Sequence, residues 1–240
     1  MKLVRADTLS FAELADLFTR GYEGYLVPMH VDEATMRLVV DAWDIDLARS
    51  CVALDEGAAV GVANLGARGG RGWIGGLGVV PQKRRRGIGR ALMEAVLADA
   101  PPVLTLEVIE QNEPAIRLYE QLGFAPTRVL EVWAVAETPY VEARRAEPAP
   151  LGQHDLPWQR EDESLPADYE RLEVDGGAVL LRGPQVLQLD ARDEDVALRL
   201  LSRGTPLRFV NVPEDDVASA ALRRLGGELE LRQLEMVRRG

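Results

Sequence analysis

The sequence predicts an α/β (α+β) fold in which helices flank a mixed, mostly antiparallel sheet. Three observations predict it: apolar runs of strand length recur along the 240 residues, amphipathic helical segments alternate with them, and glycine or proline marks the junctions. A hydrophobic content of 47% with 28% charged residues is typical of a globular protein. The length allows one large domain or two small ones.

The first part of the chain predicts a strand, two helices and three antiparallel strands. The first strand covers residues 2–6, and Thr8 or Ser10 caps a helix that ends near Arg20. Residues 31–33 open the second helix. The three strands cover residues 47–54, 58–65 and 73–80, with turns at 55–57 and 66–72.

The third of these strands runs into a basic, glycine-containing loop that opens a helix. Pro81 ends the strand by removing a backbone donor, and apolar residues recur at helical spacing from Ile88 onward. Unpaired N–H groups and the positive end of the helix dipole meet at such a loop, and both favour an anion that Gly87 and Gly89 let the backbone approach. In a chain of net charge −11, five local positive charges predict a phosphate site: Lys83, Arg84, Arg85, Arg86 and Arg90.

A strand, a helix and a long strand follow the helix that begins at Ile88. The strand at residues 103–109 should lie parallel to 73–80, because a helix connects the two. Asn112 suits a helix cap, and Gly123 suits the end of that helix. The long strand covers residues 124–136.

Two motifs in this region resemble the GNAT N-acetyltransferase superfamily. The spacing Arg84-x-x-Gly87-x-Gly89 is similar to the acyl-CoA pyrophosphate loop of that superfamily, and it matches neither the P-loop nor the Rossmann fingerprint. Residues 112–124 resemble the second conserved segment of the superfamily. The two motifs occur in the family's order and spacing, so the resemblance covers residues 1–137, the predicted catalytic domain.

The resemblance implies an acetyl-CoA-dependent N-acetyltransferase whose strands 73–80 and 103–109 splay apart to admit the carrier. The pyrophosphate would lie on the backbone N–H groups of residues 85–90, with Arg84 or Arg90 adding charge. The pantetheine arm would pair with the main chain of the first strand. The implied carrier-binding residues are Leu77, Gly78, Val79, Arg84, Arg85, Arg86, Gly87, Ile88, Gly89, Arg90, Asn112 and Tyr119.

Acetyl transfer from a thioester to an amine needs a held carrier, a neutral amine and a proton for the departing thiolate. The resemblance makes Tyr119 the proton donor and puts Asn112 beside the pantetheine arm. Seven residues separate these two side chains, so both face the same side of their helix. The backbone N–H near Val79 would polarise the thioester carbonyl.

The general base and the acceptor are less narrowly specified. Glu107, near the end of the splayed strand, is the first candidate for the base. Weaker candidates are Glu131, Asp44 and His30, and a water relay could serve instead. Acceptor recognition is expected from the two N-terminal helices and the loop at residues 21–28, whose two aromatic residues and carboxylate suit an amine with an apolar body.

Residues 138–170 predict a proline- and acid-rich linker, although Pro157-Trp158 suggests that part of it packs on a domain. Residues 171–240 predict a second, truncated GNAT-like domain that repeats the tail of the first. Its predicted elements are a hairpin at 177–182 and 185–190, helices at 193–203 and 213–225, and strands at 207–212 and 228–237. The acidic residues 191–195 replace the basic glycine loop and would repel pyrophosphate, so this domain should bind no acyl-CoA. An unrelated small α/β domain is the alternative.

Composition limits the partners and cofactors. No apolar run approaches the roughly 18 residues of a membrane helix, and a single cysteine fits a reducing cytoplasm. Two distant histidines without a Cys/His cluster predict no metal site, and the acidic balance disfavours nucleic acid as a partner. Together with the resemblance to the GNAT superfamily, these limits lead us to expect a cytoplasmic enzyme that uses acetyl-CoA as a co-substrate and acts on an amine of a small molecule or peptide. An exposed sheet edge would allow a homodimer.

Two other functions compete with this reading. One is a non-catalytic acyl-CoA-binding regulatory or scaffold protein. The other is transfer of a longer acyl group, or transfer to a different acceptor atom.

Overall fold

Twelve strands and six helices alternate along residues 1–240, all of which the computed structural model describes. The strands are β1 (Lys2–Arg5), β2 (Cys51–Asp55), β3 (Ala58–Arg68), β4 (Arg71–Val79), β5 (Val103–Ile109), β6 (Ala125–Val135), β7 (Arg144–Ala146), β8 (Glu170–Val174), β9 (Gly177–Arg182), β10 (Gln185–Ala191), β11 (Leu207–Pro213) and β12 (Glu228–Arg239). The helices are α1 (Phe11–Gly21), α2 (Glu33–Ala42), α3 (Ile88–Leu97), α4 (Glu113–Gln121), α5 (Glu194–Leu201) and α6 (Val217–Arg224).

The chain divides into two units. The first contains residues 1–107, 114–125 and 236–240, and the second contains residues 108–113 and 126–235. This division differs from the predicted domain boundary at residue 137. The reason is that β6 pairs antiparallel with β11, which draws the strand into the second unit.

The sheet of the first unit has the strand order β1-β2-β3-β4-β5. β1 to β4 are antiparallel, whereas β4 and β5 are parallel, so the predicted mixed and mostly antiparallel sheet is confirmed. The pairing of β4 with β5 ends at Trp73↔Thr105. Both strands continue beyond that pair without further pairing to each other, as the splay expected for residues 73–80 and 103–109 predicts.

Local sequence explains the ends of the first elements. Ser10 and Glu13 form a reciprocal capping box at the start of α1, and the Asp32 side chain caps α2. The strand predicted from residue 47 is wrong at its start, because β2 begins only at Cys51. The Asp46 carbonyl accepts the Ser50 N–H at 2.8 Å, so the residues before Cys51 form a turn instead.

The second unit has the strand order β12-β6-β11-β10-β9-β8-β7. β9 and β10 form the predicted hairpin, with Gly183 in the left-handed region at φ 55°. β10 and β11 are parallel and pair only at Gln185↔Arg208 and Val186↔Phe209. The succession β10-α5-β11-α6-β12 repeats the succession β4-α3-β5-α4-β6 of the earlier part of the chain.

The segment predicted as a linker, residues 138–170, contains ordered structure that packs on the second unit. β7 pairs with β8, and neither strand was predicted. Trp158 is buried, as Pro157-Trp158 suggested, and Arg160 beside it is buried as well. No helix in the chain has the length and apolar character needed to cross a bilayer.

Candidate active site

The basic loop between β4 and α3 presents backbone N–H groups at a helix N-terminus. Arg85 and Gly87 both adopt left-handed conformations, with φ of 61° and 79°, and α3 begins at Ile88. No side chain caps α3, whereas polar side chains cap α1, α2, α5 and α6. The first-turn N–H groups and the helix dipole therefore favour an anion here.

A cavity of about 480 Å³ adjoins this loop. Residues of the predicted loop line it together with one face of α4, whose residues are not among the predicted site residues. The α4 lining residues are Pro114, Arg117, Leu118 and Gln121. Their spacing of three, four and seven residues puts them on one helix face, and that periodicity is the signal that could have identified them.

The five positive charges of the loop have different partners. Lys83 forms an ion pair with Asp55 at 2.6 Å, and this hydrogen bond holds the pKa of the Asp55 carboxyl below its ordinary value. Arg90 pairs with Glu94 and donates to the side-chain oxygen of Gln121. Arg85 and Arg86 are exposed on the loop, so their charges face solvent.

Arg84 differs from its basic neighbours in its hydrogen-bond partners, which are main-chain carbonyls. Its Nε donates to the Val79 carbonyl at 2.8 Å, and its Nη2 donates to the carbonyls of Gly21 and Glu23 at 3.0 and 2.7 Å. These hydrogen bonds attach the guanidinium group to main-chain oxygens at the end of β4, at the last residue of α1 and just after α1.

The end of β4 lies where the pairing with β5 has ceased. On its other edge, Leu77, Gly78 and Val79 pair with Ala63, Val62 and Gly61 of β3. The predicted arm-binding residues thus lie on a strand that is paired with β3 and parted from β5.

Tyr119 lies on α4 and is only 7% exposed. Burial raises the pKa of its hydroxyl well above the ordinary value, and electrostatic interactions with Tyr22 and Tyr25 act in the same direction. The hydroxyl therefore keeps its proton at neutral pH. In chemical terms Tyr119 can act as a proton donor and not as a base.

Glu107 lies two residues after Thr105, the last residue of β5 that pairs with β4. Its carboxylate accepts a hydrogen bond from the Trp73 indole N–H at 2.8 Å, and Trp73 in turn packs edge-to-face on Trp43. The weaker base candidates have other partners or positions. Glu131 is fully buried and accepts from Arg223 and the Trp133 indole, Asp44 pairs with Arg68, and His30 is exposed on the α1–α2 connection.

Asn112 immediately precedes α4, and its backbone N–H donates to the Ile109 carbonyl at 2.8 Å. It belongs to the stretch 108–113 of the second unit. Its role beside the carrier remains a prediction from the resemblance.

In the second unit, the protein's own side chains occupy the positions that correspond to this site. The Asp193 carboxylate accepts from the Val196 N–H at 2.9 Å and caps α5, the helix that corresponds to α3. Arg160 is 3% exposed and donates to the carbonyls of Leu187 on β10 and Asn211 on β11. Its guanidinium group lies 4.4 Å from the Phe209 ring centroid, and burial lowers its pKa to about 10.

Comparison with known proteins finds a family model that matches part of the chain. Residues 11–124 match the family model described as the acetyltransferase (GNAT) family. These residues include the basic loop, Glu107 and Tyr119. This segment therefore resembles the GNAT acetyltransferase family, as its two motifs predict.

Two curated relatives match parts of the chain. The peptidyl-lysine N-acetyltransferase YiaC of Escherichia coli (strain K12) is 50% identical over 46 residues, which are 19% of this chain and 31% of that protein. The N-alpha-acetyltransferase of Sulfurisphaera tokodaii is 38% identical over 79 residues, which are 30% of this chain and 47% of that protein. The chain thus spans less than half the length of either relative.

Solved structures resemble almost the whole chain in fold. The GCN5-related N-acetyltransferase from Sphaerobacter thermophilus has a TM-score of 0.70 over 99% of this chain and 95% of that chain, at 17% identity. A tandem GNAT protein from the clavulanic acid biosynthesis pathway has a TM-score of 0.66 over 99% and 98%, at 16% identity. The tandem neighbour supports the two-domain fold predicted from the internal repeat.

Proposed function

We propose that this protein is an acetyl-CoA-dependent N-acetyltransferase that moves an acetyl group to a primary amine of a small molecule or a peptide. One observation carries the proposal: the uncapped N-terminus of α3 and its left-handed glycine lie at the end of a strand that has parted from its parallel neighbour. The names of the two curated relatives, a peptidyl-lysine N-acetyltransferase and an N-alpha-acetyltransferase, favour a peptide amine as the acceptor class.

The loop residues would hold the carrier's pyrophosphate through main-chain donors. The backbone N–H groups at residues 87–90 are the orphan donors of an uncapped helix, and exposed Arg85 and Arg86 add positive charge around them. Arg117 extends the basic lining of the adjoining cavity from α4. Glycine at position 87 supplies the left-handed turn without a side chain over the anion.

Two side chains would move protons during transfer. Glu107 would accept a proton from the attacking amine, directly or through water. Tyr119 would donate a proton to the departing thiolate, and its raised pKa keeps that proton available. A backbone N–H near Val79 would polarise the thioester carbonyl, a role typically worth about 3 kcal/mol.

The proposal keeps the domain organisation that the sequence predicts, with a catalytic domain at residues 1–137, a connection at 138–170 and a GNAT-like domain at 171–240. The second domain would hold no carrier. Asp193 puts a carboxylate on the helix N-terminus where a phosphate would bind, and Arg160 lies between β10 and β11 where an arm would lie. The protein would work in the cytoplasm without a metal, and a homodimer stays a prediction.

The binding half of this proposal is tested by Arg86→Glu combined with Gly87→Glu. Two carboxylates at the anion site should abolish acetyl-CoA binding in calorimetry, because their negative charges would repel the pyrophosphate at the start of α3. Unchanged affinity would contradict the pyrophosphate assignment.

The catalytic half is tested by a screen of amines and peptide amines that follows release of free thiol from acetyl-CoA. Turnover on a primary amine supports the N-acetyltransferase. Tight binding of acetyl-CoA without turnover on any amine would favour the non-catalytic acyl-CoA-binding alternative, and faster turnover with longer acyl donors would favour a different acyl group.

A further inference from the structure

The last residue of α1 and the residues that follow it lie directly on the end of β4. A Cβ placed on Gly21 would come within 3.2 Å of the Gly78 backbone, and one placed on Gly78 would come within 3.2 Å of the Tyr22 ring. Two glycines therefore permit a close approach of the two backbones. Residues 21–25 are named the acceptor segment below.

The acceptor segment carries an aromatic cluster beside the end of β4. Tyr22 stacks on Phe18 with ring centroids 4.5 Å apart, and Tyr25 meets Tyr22 edge-to-face at 5.1 Å. A Cβ placed on Gly21 would also lie 3.5 Å from the Val79 backbone nitrogen. The acceptor segment thus borders the backbone N–H of Val79, the region proposed to polarise the thioester carbonyl.

Arg84 joins the acceptor segment to β4. One guanidinium group donates to Val79 at the end of the strand and to Gly21 and Glu23 in the segment. No carboxylate pairs with Arg84, and its three acceptors are main-chain carbonyls. The planar fork of donors is what allows one side chain to satisfy carbonyls on two separate stretches.

We propose that Arg84 is a positioning residue for the amine acceptor and not a ligand of the carrier's phosphates. It acts through the acceptor segment, which it holds against the end of β4. The inference rests on the proposed N-acetyltransferase function and refines it, because the resemblance alone would give Arg84 a phosphate-binding role.

Lysine at position 84 separates the two roles. Arg84→Lys keeps the positive charge that a phosphate ligand needs but loses the fork that reaches three carbonyls. A phosphate role predicts that lysine preserves carrier affinity and acceptor kinetics. The positioning role predicts that lysine behaves like alanine toward the acceptor while the carrier still binds.

The experiment compares Arg84→Lys and Arg84→Ala with Arg86→Ala, an exposed neighbour without carbonyl contacts. Acetyl-CoA affinity is measured by calorimetry, and KM and kcat are measured for whichever of spermidine, a lysine peptide or a peptide with a free α-amine is turned over fastest. Both Arg84 variants should reduce kcat/KM for the amine by at least about tenfold, since small misplacements of a reacting group are costly. Their acetyl-CoA Kd should stay within about twofold of wild type, whereas Arg86→Ala should raise it about three- to tenfold.

Hydrogen–deuterium exchange supplies a readout that needs no acceptor. Backbone amides of residues 21–25 should exchange faster in both Arg84 variants and stay unchanged in Arg86→Ala, because only Arg84 holds that segment. Retained acetyl-CoA binding in the same samples demonstrates that the variants are folded. Gly21→Ala, which crowds the Gly78 backbone without altering charge, should reproduce the kinetic effect.

The outcomes distinguish this inference from the function on which it rests. If Arg84→Lys preserves acceptor kinetics, or if Arg84→Ala weakens carrier binding as much as Arg86→Ala, the positioning role is wrong and the enzyme assignment stands. If wild-type protein binds no acetyl-CoA, the proposed function itself is wrong. Unchanged exchange at residues 21–25 would also overturn the positioning role.

Discussion

Gly87 determines how the carrier loop turns into α3. Its φ of 79° is left-handed, and a Cβ there would meet no atom within 4 Å, so a side chain would cost conformational energy without a clash. We expect Gly87→Ala to lower the free energy of unfolding by about 1–2 kcal/mol. For a chain of this size that corresponds to a fall in melting temperature of about 2–8 °C.

Gly89 provides the matched control two residues later. It has no positive φ, and a Cβ there would touch Leu118 and Leu77 at 3.7 Å, an ordinary contact distance. Gly89→Ala should therefore raise the free energy of unfolding by about 0.5–1 kcal/mol, because alanine loses less backbone entropy in a helix.

Scanning calorimetry of the two variants compares their melting temperatures, and acetyl-CoA titration follows in the same samples. Gly87→Ala should be less stable than wild type and bind the carrier more weakly, since the loop N–H groups no longer converge. If the two substitutions shift the melting temperature in the same direction and by similar amounts, the backbone geometry argued for this loop is incorrect.

Two further predictions concern proton donation and stoichiometry. Tyr119→Phe should lower kcat about a hundredfold with little change in carrier affinity, and unchanged turnover in this variant would remove Tyr119 from the mechanism. In wild type, the raised pKa of the Tyr119 hydroxyl should keep it protonated near pH 10, so its ionisation should cause no loss of kcat there. Calorimetric titration should give one acetyl-CoA per chain because Asp193 and Arg160 fill the counterpart site, and two equivalents would contradict a carrier-free second domain.

Local sequence rules predicted much of the first unit. Pro81 and the glycines at 87 and 89 located the end of β4 and the start of α3, since proline and glycine act on their own backbone. The parallel pairing of β4 with β5 followed from the helix between them. Such features depend on neighbours in sequence, so they can be read without knowing the tertiary fold.

The features that sequence reasoning missed depend on partners distant in sequence. Arg84 looked like its basic neighbours, and only the folded position of residues 21–23 reveals its carbonyl acceptors. Arg160 lay in a proline-rich stretch that resembled a linker, yet it is buried between two strands of the second unit. β7 and β8 were missed because short strands among prolines and charges carry a weak alternating pattern.

The account depends on the N-terminus of α3 holding the diphosphate of an acyl carrier. A crystal structure of the protein with acetyl-CoA measures this directly. We expect diphosphate oxygens within hydrogen-bonding distance of the backbone nitrogens of residues 87–90, and the arm beside residues 77–79. Carrier density at any other place, or an empty α3 N-terminus at saturating acetyl-CoA, would contradict the account.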